Sequence, residues 1–402
     1  MGSAVNRAPP ANESRGDLPL EGLRVVDFGI ITAGASTSAM LADLGAEVIK
    51  VEGPGYIDPF RHWAGESTEA GWWEGSPHFR FTNRNKQDVC VDLKSESGRE
   101  LLLDLVRISD VVIENFRAGV LDRLGLGFDV LRGANSRIVL GSVSSQGTTG
   151  PNATAVSFGS TLEASSGFAD LVRYPGEAPM ISGQALNYPD QVVSLFAAGM
   201  IMATVLEARR SGRALHVDIA QREVTAFLIG EKLVAAAYGV NDSAGGACEC
   251  GALHGGQGIY PSADGRWVAA TLVRKTDPAR VDALTGGSGL AALELWIASQ
   301  PAAIAVAGLR AAGCAAEIAL TAADMVDAHH PAQDRLAVVL GPDGTPVKGL
   351  PWSTDGRPLQ VRSLAPTLGQ DNRRIVIDLL KRDEATYNDL VAHGILATAP
   401  TR

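Results

Sequence analysis

A small-residue turn, an isolated acid, a cysteine pair and a glycine run are the places where this 402-residue sequence can do chemistry. The turn Thr32-Ala33-Gly34 follows a short apolar run and precedes a helical pattern, so backbone N–H groups and a helix N-terminus face whatever sits there. A phosphate- or adenine-bearing ligand suits such a turn. So does simple tight packing, because no G-x-G-x-x-G accompanies it. Asp190 follows Pro189 ahead of a continuous apolar stretch, where an acid is a favoured helix N-cap. Cys248-Glu249-Cys250 lacks the spacing of metal and redox pairs and no second Cys/His pair follows, so no metal site is expected. His254-Gly255-Gly256-Gln257-Gly258 reads as a loop and a domain boundary.

The elements that must position these residues alternate along the first half of the chain. Leu23 to Asp27 is strand-like, Ser36 to Leu44 has helical spacing, and Glu47 to Val51 is again strand-like, which makes a βαβ unit. The same alternation predicts strands at Val89 to Leu93, Val111 to Glu114 and Ile138 to Val143, with helices between them. A parallel, doubly wound sheet follows, and its ligands belong beyond the carboxyl ends of the strands, after Phe28, Glu114 and Val143. A buried helix is predicted from Gln191 to Arg210, a strand from Leu215 to Ala220, and one long helix through Val224 to Tyr238. A smaller α+β unit comes next, with a strand at Trp267 to Leu272, Ala-rich helices at Leu290 to Ser299 and Ala302 to Ala312, and a strand at Leu336 to Leu340. An extended Leu350 to Pro366 and closing helices within Asp371 to Val391 end the chain.

Composition narrows the classes. With 46% hydrophobic residues the chain can bury a large core, and a net charge of -10 with scattered basic residues argues against nucleic acid. Four irregular cysteines make no disulfide framework, and no signal-like or long membrane span is expected, so the cytoplasm is the predicted compartment.

The order of several motifs resembles the family III CoA-transferases, the group of the formyl-CoA, carnitine and benzylsuccinate CoA-transferases. These motifs are Leu20 to Phe28, Leu44 to Glu52, Asn83-Arg84-Asn85-Lys86 before Val91-Asp92-Leu93-Lys94, Glu114 to Gly119, and Leu121 to Gly125. Val217 to Ala220 and Ala365 to Asp371 complete the set. The resemblance covers nearly all the chain after a leader at 1–18. It implies a Rossmann-like large domain built from both chain ends (19–225 and 346–402), a linker helix, glycine loop and small α+β domain at 226–345, and two interlocked subunits. It also implies CoA along the first turn: Ile31, Thr32 and Ala33 beside it, Asn85, Lys86 and Arg123 near its phosphates, and Asn115 and Phe116 over its adenine or pantetheine region. Each has a rival reading, as a solvated charge for Lys86 and Arg123, a turn former for Asn115, and core for Phe116. Two positions depart from the family: Gly53 and Ser144 stand where some members carry basic residues.

By the same resemblance Asp190 takes the place of a nucleophile that moves CoA from an acyl-CoA to a small carboxylic acid through an aspartyl anhydride and an aspartyl-CoA thioester. Acyl-CoA is then substrate, and no resident cofactor is required. Gln146 and Ser144-Ser145 are candidates for polar contacts at the thioester, and Gly255, Gly256 and Gly258 for a mobile loop offering N–H groups to an oxyanion. Racemase chemistry needs a second base, and no histidine lies between His78 and His216. A homodimer is the expected assembly, with a catalytically silent subunit of a two-chain enzyme as the alternative. Trp63, Trp72, Trp73, His78, Phe79 and Arg80 could line an acid pocket or merely pack together.

Overall fold

A computed structural model describes residues 18–64, 70–172, 178–182, 188–240, 256–326, 338–349 and 360–401. The leader except Leu18, Cys248, Cys250, His254 and Gly255 lie outside the described residues. The chain divides into two compact units. The first runs to Ser166, resumes for the stretch that ends at Leu228, and takes up the chain again in its C-terminal part; the second comprises Gly167–Ser182 and the segment that begins at Ile229.

The first unit opens with β1 (Arg24–Asp27), α1 (Ala33–Asp43), β2 (Glu47–Glu52), α2 (Pro77–Asn83), β3 (Gln87–Cys90), α3 (Glu96–Arg107), β4 (Val111–Glu114), α4 (Val120–Arg123), α5 (Phe128–Ala134) and β5 (Val139–Ser142). After α6 (Gly159–Ser165), and α7 (Phe168–Leu171) in the second unit, it continues with α8 (Tyr188–Ser211), β6 (Leu215–Asp218) and α9 (Gln221–Phe227). All six strands are parallel, in the order β3-β2-β1-β4-β5-β6. This is the expected Rossmann-like α/β sheet, whose strand order reverses between β1 and β4.

Consecutive valines explain why both faces of the sheet are covered. Side chains alternate along a strand, so Val25 joins Met40, Leu41, Ile201 and Val205 of α1 and α8, whereas Val26 joins Leu101, Leu105 and Leu131 of α3 and α5 on the other face. Ile375 and Val376, from a π-helical stretch near the C-terminus, pack into the second of these cores. Chain ends thus share one domain. At β5 the helix comes close: a Cβ on Gly141 would lie 2.7 Å from Ile201 Cδ1.

Three expectations change. The helix carrying Asp190 begins at Tyr188 rather than Gln191, so Asp190 is inside the first turn. This 24-residue helix is also long and apolar enough to cross a membrane, contrary to the expectation of no such span. Its Val193, Ala197, Ile201 and Val205 are buried in the cores of this unit, and the core helix of a packed domain has the same composition. The third is the long helix at Val224 to Tyr238, which is broken: α9 ends at Phe227 and α10 (Gly230–Ala237) starts after Ile229, which leaves the helical backbone region at φ -115°, ψ 27°.

In the second unit β7 (Gly256–Pro261), β8 (Trp267–Leu272) and β9 (Ala315–Ile318) form an antiparallel sheet under α11 (Asp277–Thr285), α12 (Gly289–Ala298) and α13 (Ala302–Ala311). Val268, Leu272, Leu293, Ile297 and Leu309 make its core. After α14 (Ala322–Val326), β10 (Val338–Leu340) pairs with β11 (Pro346–Lys348) as a hairpin in the first unit, and α15 (Glu384–Ala392) closes the chain.

Candidate active site

The turn after β1 is held from three sides by buried polar groups. Asp27, fully buried at the strand end, accepts from Gly29 N–H at 2.8 Å and from Ser38 Oγ at 2.7 Å. Lys50 Nζ donates to Gly29 O at 2.7 Å and to Asp58 Oδ2 at 2.9 Å. Asn115, just past β4, clamps Ile30 in both directions: Ile30 N–H donates to its Oδ1 at 2.8 Å and its Nδ2 donates to Ile30 O at 3.1 Å. Ile31 takes a left-handed φ of 58° and donates its N–H to Asp58 Oδ1. Strain of that kind, in a residue with a β-branched side chain, persists where the surroundings over-determine it, and it clusters at ligand sites.

Asp190 stands beside this turn. Ser194, one helical turn further along α8, donates its hydroxyl to Asp190 O at 2.6 Å and to Ala33 O at 3.0 Å, which ties the start of α8 to the start of α1. Val193 and Ala197 pack with Ala33, Val143 and Ile219. Asp190 Oδ2 is buried with no hydrogen-bond partner among the described residues. Burial pushes its carboxyl up to about 6, offset in part by its own backbone N–H. Ser144 Oγ, just past β5, and Gln221 Oε1, at the start of α9, are likewise without a partner, and Gln221 Nε2 donates to Val143 O at 3.0 Å. Buried polar atoms are normally satisfied, so each of these oxygens is open to a further polar partner.

The titration of Asp190 has a stability consequence. The unfolded chain releases this proton near the ordinary 3.8 and the folded chain keeps it to about 6, so stability falls as pH rises through that window and the penalty is complete above it. Asp190→Asn is expected to stabilise the protein by about 1–3 kcal/mol above about pH 7, and to make no difference below about pH 3.8. Urea denaturation at both ends of the window checks it. An equal effect at both would mean that the charge is not what matters.

Other expected site residues are placed differently. Lys86 does not point at a phosphate: it is buried and donates to Asp27 Oδ2 (2.8 Å), Ala35 O (2.9 Å) and Asn83 Oδ1 (2.8 Å), which uses all three of its protons. Burial, only partly countered by Asp27, brings its ammonium down to about 8. Asn85 is also occupied, at φ 61°: its Oδ1 accepts from Arg362 and Ser363 N–H and its Nδ2 donates to Asp43. Both are drawn inward because a cation or amide left unpaired in this dense network would be costly. Phe116 packs against the core and lies 6.2 Å from the Phe28 ring. Arg123 is exposed at the end of α4.

Gln146 is nearly buried and donates to Ser157 Oγ at 2.7 Å. Gly256 and Gly258 are corrected from loop to strand: both belong to β7, opposite Leu272 and Ala270 of β8. A Cβ on Gly258 would meet Tyr260 Oη at 2.5 Å, so a side chain there would require that ring to shift. The aromatic cluster divides. Phe79 is buried with Arg61 3.6 Å from its ring centre, Trp72 and Trp73 pack beside Ile57 and Leu368, and Trp63 and His78 are exposed. Cys90 and Cys314 are free and buried, and no metal-ligand group occurs among the described residues.

Glu114 and Gln221 were not singled out as functional from sequence. Glu114, at the end of β4, accepts from Phe116 N–H at 2.7 Å, and burial raises its carboxyl to about 7. Its position at a strand end was legible; its burial was not.

Residues 20–372 match the family model described as CoA-transferase family III. The chain belongs to this family. Among its relatives, an acyl-CoA transferase of Fusarium pseudograminearum is 35% identical over 228 residues, 56% of this chain and 50% of the relative. The succinyl-CoA--D-citramalate CoA-transferase of Chloroflexus aurantiacus is 30% identical over 405 residues, 94% of this chain and 98% of that one. A CaiB/BaiF family protein of Brucella suis has a similar crystal structure, with a TM-score of 0.78 and 25% identity over 90% of this chain and 99% of that one. The chain spans between 50% and 61% of the length of several of the curated relatives it matches, the Fusarium protein among them.

Proposed function

We propose that this family III chain transfers CoA from an acyl-CoA to a carboxylic acid, with Asp190 as the nucleophile. A carboxylate oxygen of Asp190 attacks the thioester carbonyl, the C–S bond breaks and CoA leaves as thiolate. That thiolate attacks the aspartyl carbonyl of the resulting anhydride, which releases the donor acid as carboxylate and leaves an aspartyl-CoA thioester. The acceptor carboxylate attacks this thioester, expelling the thiolate and forming a second anhydride. Thiolate attack on the acceptor's acyl carbon then gives the new acyl-CoA and restores Asp190. Atoms and charges balance at each step without metal or redox change.

The observation that carries this reading is the unpartnered, buried Oδ2 of Asp190 next to the α1 turn. A carboxylate with one oxygen shielded from water and free of hydrogen bonds is a better nucleophile than a fully solvated one, and at about 6 it is still ionised at neutral pH. In this reading CoA runs along Ile31, Thr32 and Ala33, with Asn115 shaping the turn, Phe116 beside it, the exposed Arg123 as its phosphate partner, and Gln146 and Ser144 after β5 as polar contacts. A homodimer is proposed as the working form. Leu195, Phe196, Met200 and Leu206 of α8 and Phe227 of α9 are exposed apolar side chains in this unit, and such a surface suits a second copy.

Incubation with a panel of acyl-CoAs, trapping with hydroxylamine or borohydride, and peptide mapping should label Asp190. A label on another residue, or none with any donor, removes the mechanism.

A further inference from the structure

Glu114 is a buried acid at the carboxyl end of β4 that the proposed reaction does not use. Its carboxylate accepts the Phe116 N–H at 2.7 Å, reaching across Asn115, whose own side chain clamps both the N–H and the carbonyl of Ile30. A side-chain acceptor that closes a turn two residues on, in the manner of an Asx turn, fixes the residue in between. The Glu114 carboxylate thus bears on Ile30 through Asn115.

Three strands bring polar groups to this carboxylate. Ser142 is its register partner on β5, and the Ser142 hydroxyl favours the ionised form. On its other side Ser142 Oγ lies 2.9 Å from His216 Nε2 of β6. An imidazole that carries its proton on Nε2 donates to that oxygen, which leaves the hydroxyl proton for Glu114. Burial works the other way, and Asp218 of β6 and Asp122 of α4 add to it, so the carboxyl is raised to about 7. No cation pairs with Glu114 among the described residues. β1 and α5 contribute the rings of Phe28 and Phe128 to this face, the second 5.5 Å from the His216 ring, and Arg132 of α5 pairs with Asp129.

We propose that Glu114 is a positioning residue for CoA binding: as a carboxylate it holds the Phe116 N–H and so keeps Asn115 on Ile30, and on protonation that hold weakens. The inference rests on the reading that CoA runs along Ile31, Thr32 and Ala33. A hydrogen bond to an ionised acceptor is about twice as strong as one between neutral groups, so the turn next to CoA is firmer above neutral pH than below it. Affinity for CoA should follow.

Calorimetric titration of the full chain with free CoA, from about pH 6 to about pH 8, tests this in wild type, Glu114→Gln and Ser142→Ala. The phosphate monoester of CoA also titrates at about 6, as does Asp190, but both do so alike in all three proteins. Between the two ends wild type is expected to lose about three- to tenfold more affinity on acidification than Glu114→Gln, which has no charge to lose. Ser142→Ala should move the midpoint of the loss to higher pH, because the hydroxyl that favours the ionised form is gone. The same pH dependence in wild type and Glu114→Gln overturns the proposal. So does tighter binding toward acid in wild type alone, which would mean that Glu114 acts by repelling the CoA phosphates. Asn115→Ala separates this from the placement of CoA: unchanged CoA affinity there removes the turn as the CoA site and the proposal with it, whereas weaker binding there beside an unaltered Glu114→Gln profile removes Glu114 alone.

Discussion

Asp190→Ala is expected to lower the turnover number for CoA transfer by about 10⁴-fold or more, with the affinity for CoA changed by less than about threefold. The two halves of that result carry different information. If Asp190 forms both the anhydride and the thioester, its removal abolishes a bond-making atom that no neighbour can replace. If it were a helix cap, its loss would cost about 1 kcal/mol of stability and leave most of the rate intact. Its Oδ2, inside the first turn, makes no capping bond. Steady-state kinetics with a competent donor and acceptor, together with CoA binding to the variant, give the comparison. Retention of more than about a tenth of wild-type turnover would rule Asp190 out as the nucleophile.

Lys86→Met is expected to destabilise the protein by about 3–5 kcal/mol, the usual result of removing one partner of a buried ion pair. Asp27 would keep Gly29 N–H and Ser38 Oγ, but no cation would remain bonded to a carboxylate that is fully shielded from water. Ala35 O and Asn83 Oδ1 would lose a donor as well. Denaturant titration measures the loss. Because Lys86 reaches no surface, CoA affinity measured on the fraction still folded should match wild type. A variant that is as stable as wild type but binds CoA weakly would show instead that Lys86 turns outward to a phosphate.

Lys86 and Asn85 mark the limit of local reading. In sequence they stand in a polar turn before a strand, where a lysine usually faces water and an asparagine shapes its own loop. Their partners are Asp27, 59 positions away, and Arg362, 277 positions away. No spacing rule reaches that far. Asn115 is the contrasting case, since its side chain does shape a turn, but the turn belongs to Ile30 rather than to its own neighbours. The glycines of β7 fail for another reason: glycine in a strand is disfavoured, so a glycine-rich run reads as loop until cross-strand pairing with β8 overrides propensity.

What the sequence determined by itself is the order of strands and helices in the first half, the small-residue turn after β1, and the apolar helix that follows Pro189. Apolar periodicity records burial directly, and a parallel sheet covered on both faces leaves its strands as unbroken apolar runs. The motifs also carried the family, which the match over residues 20–372 bears out. The tertiary structure alone decided which polar groups are used up inside and which are left over. Lys50, Lys86 and Arg61 disappear into buried ion pairs, whereas Asp190 Oδ2 and the Lys348 ammonium, from segments that meet through Gln191 across 157 positions, remain without opposite charge. Whether a charged group is satisfied depends on which distant atoms the fold brings within hydrogen-bonding distance, and that is a property of packing rather than of sequence neighbours.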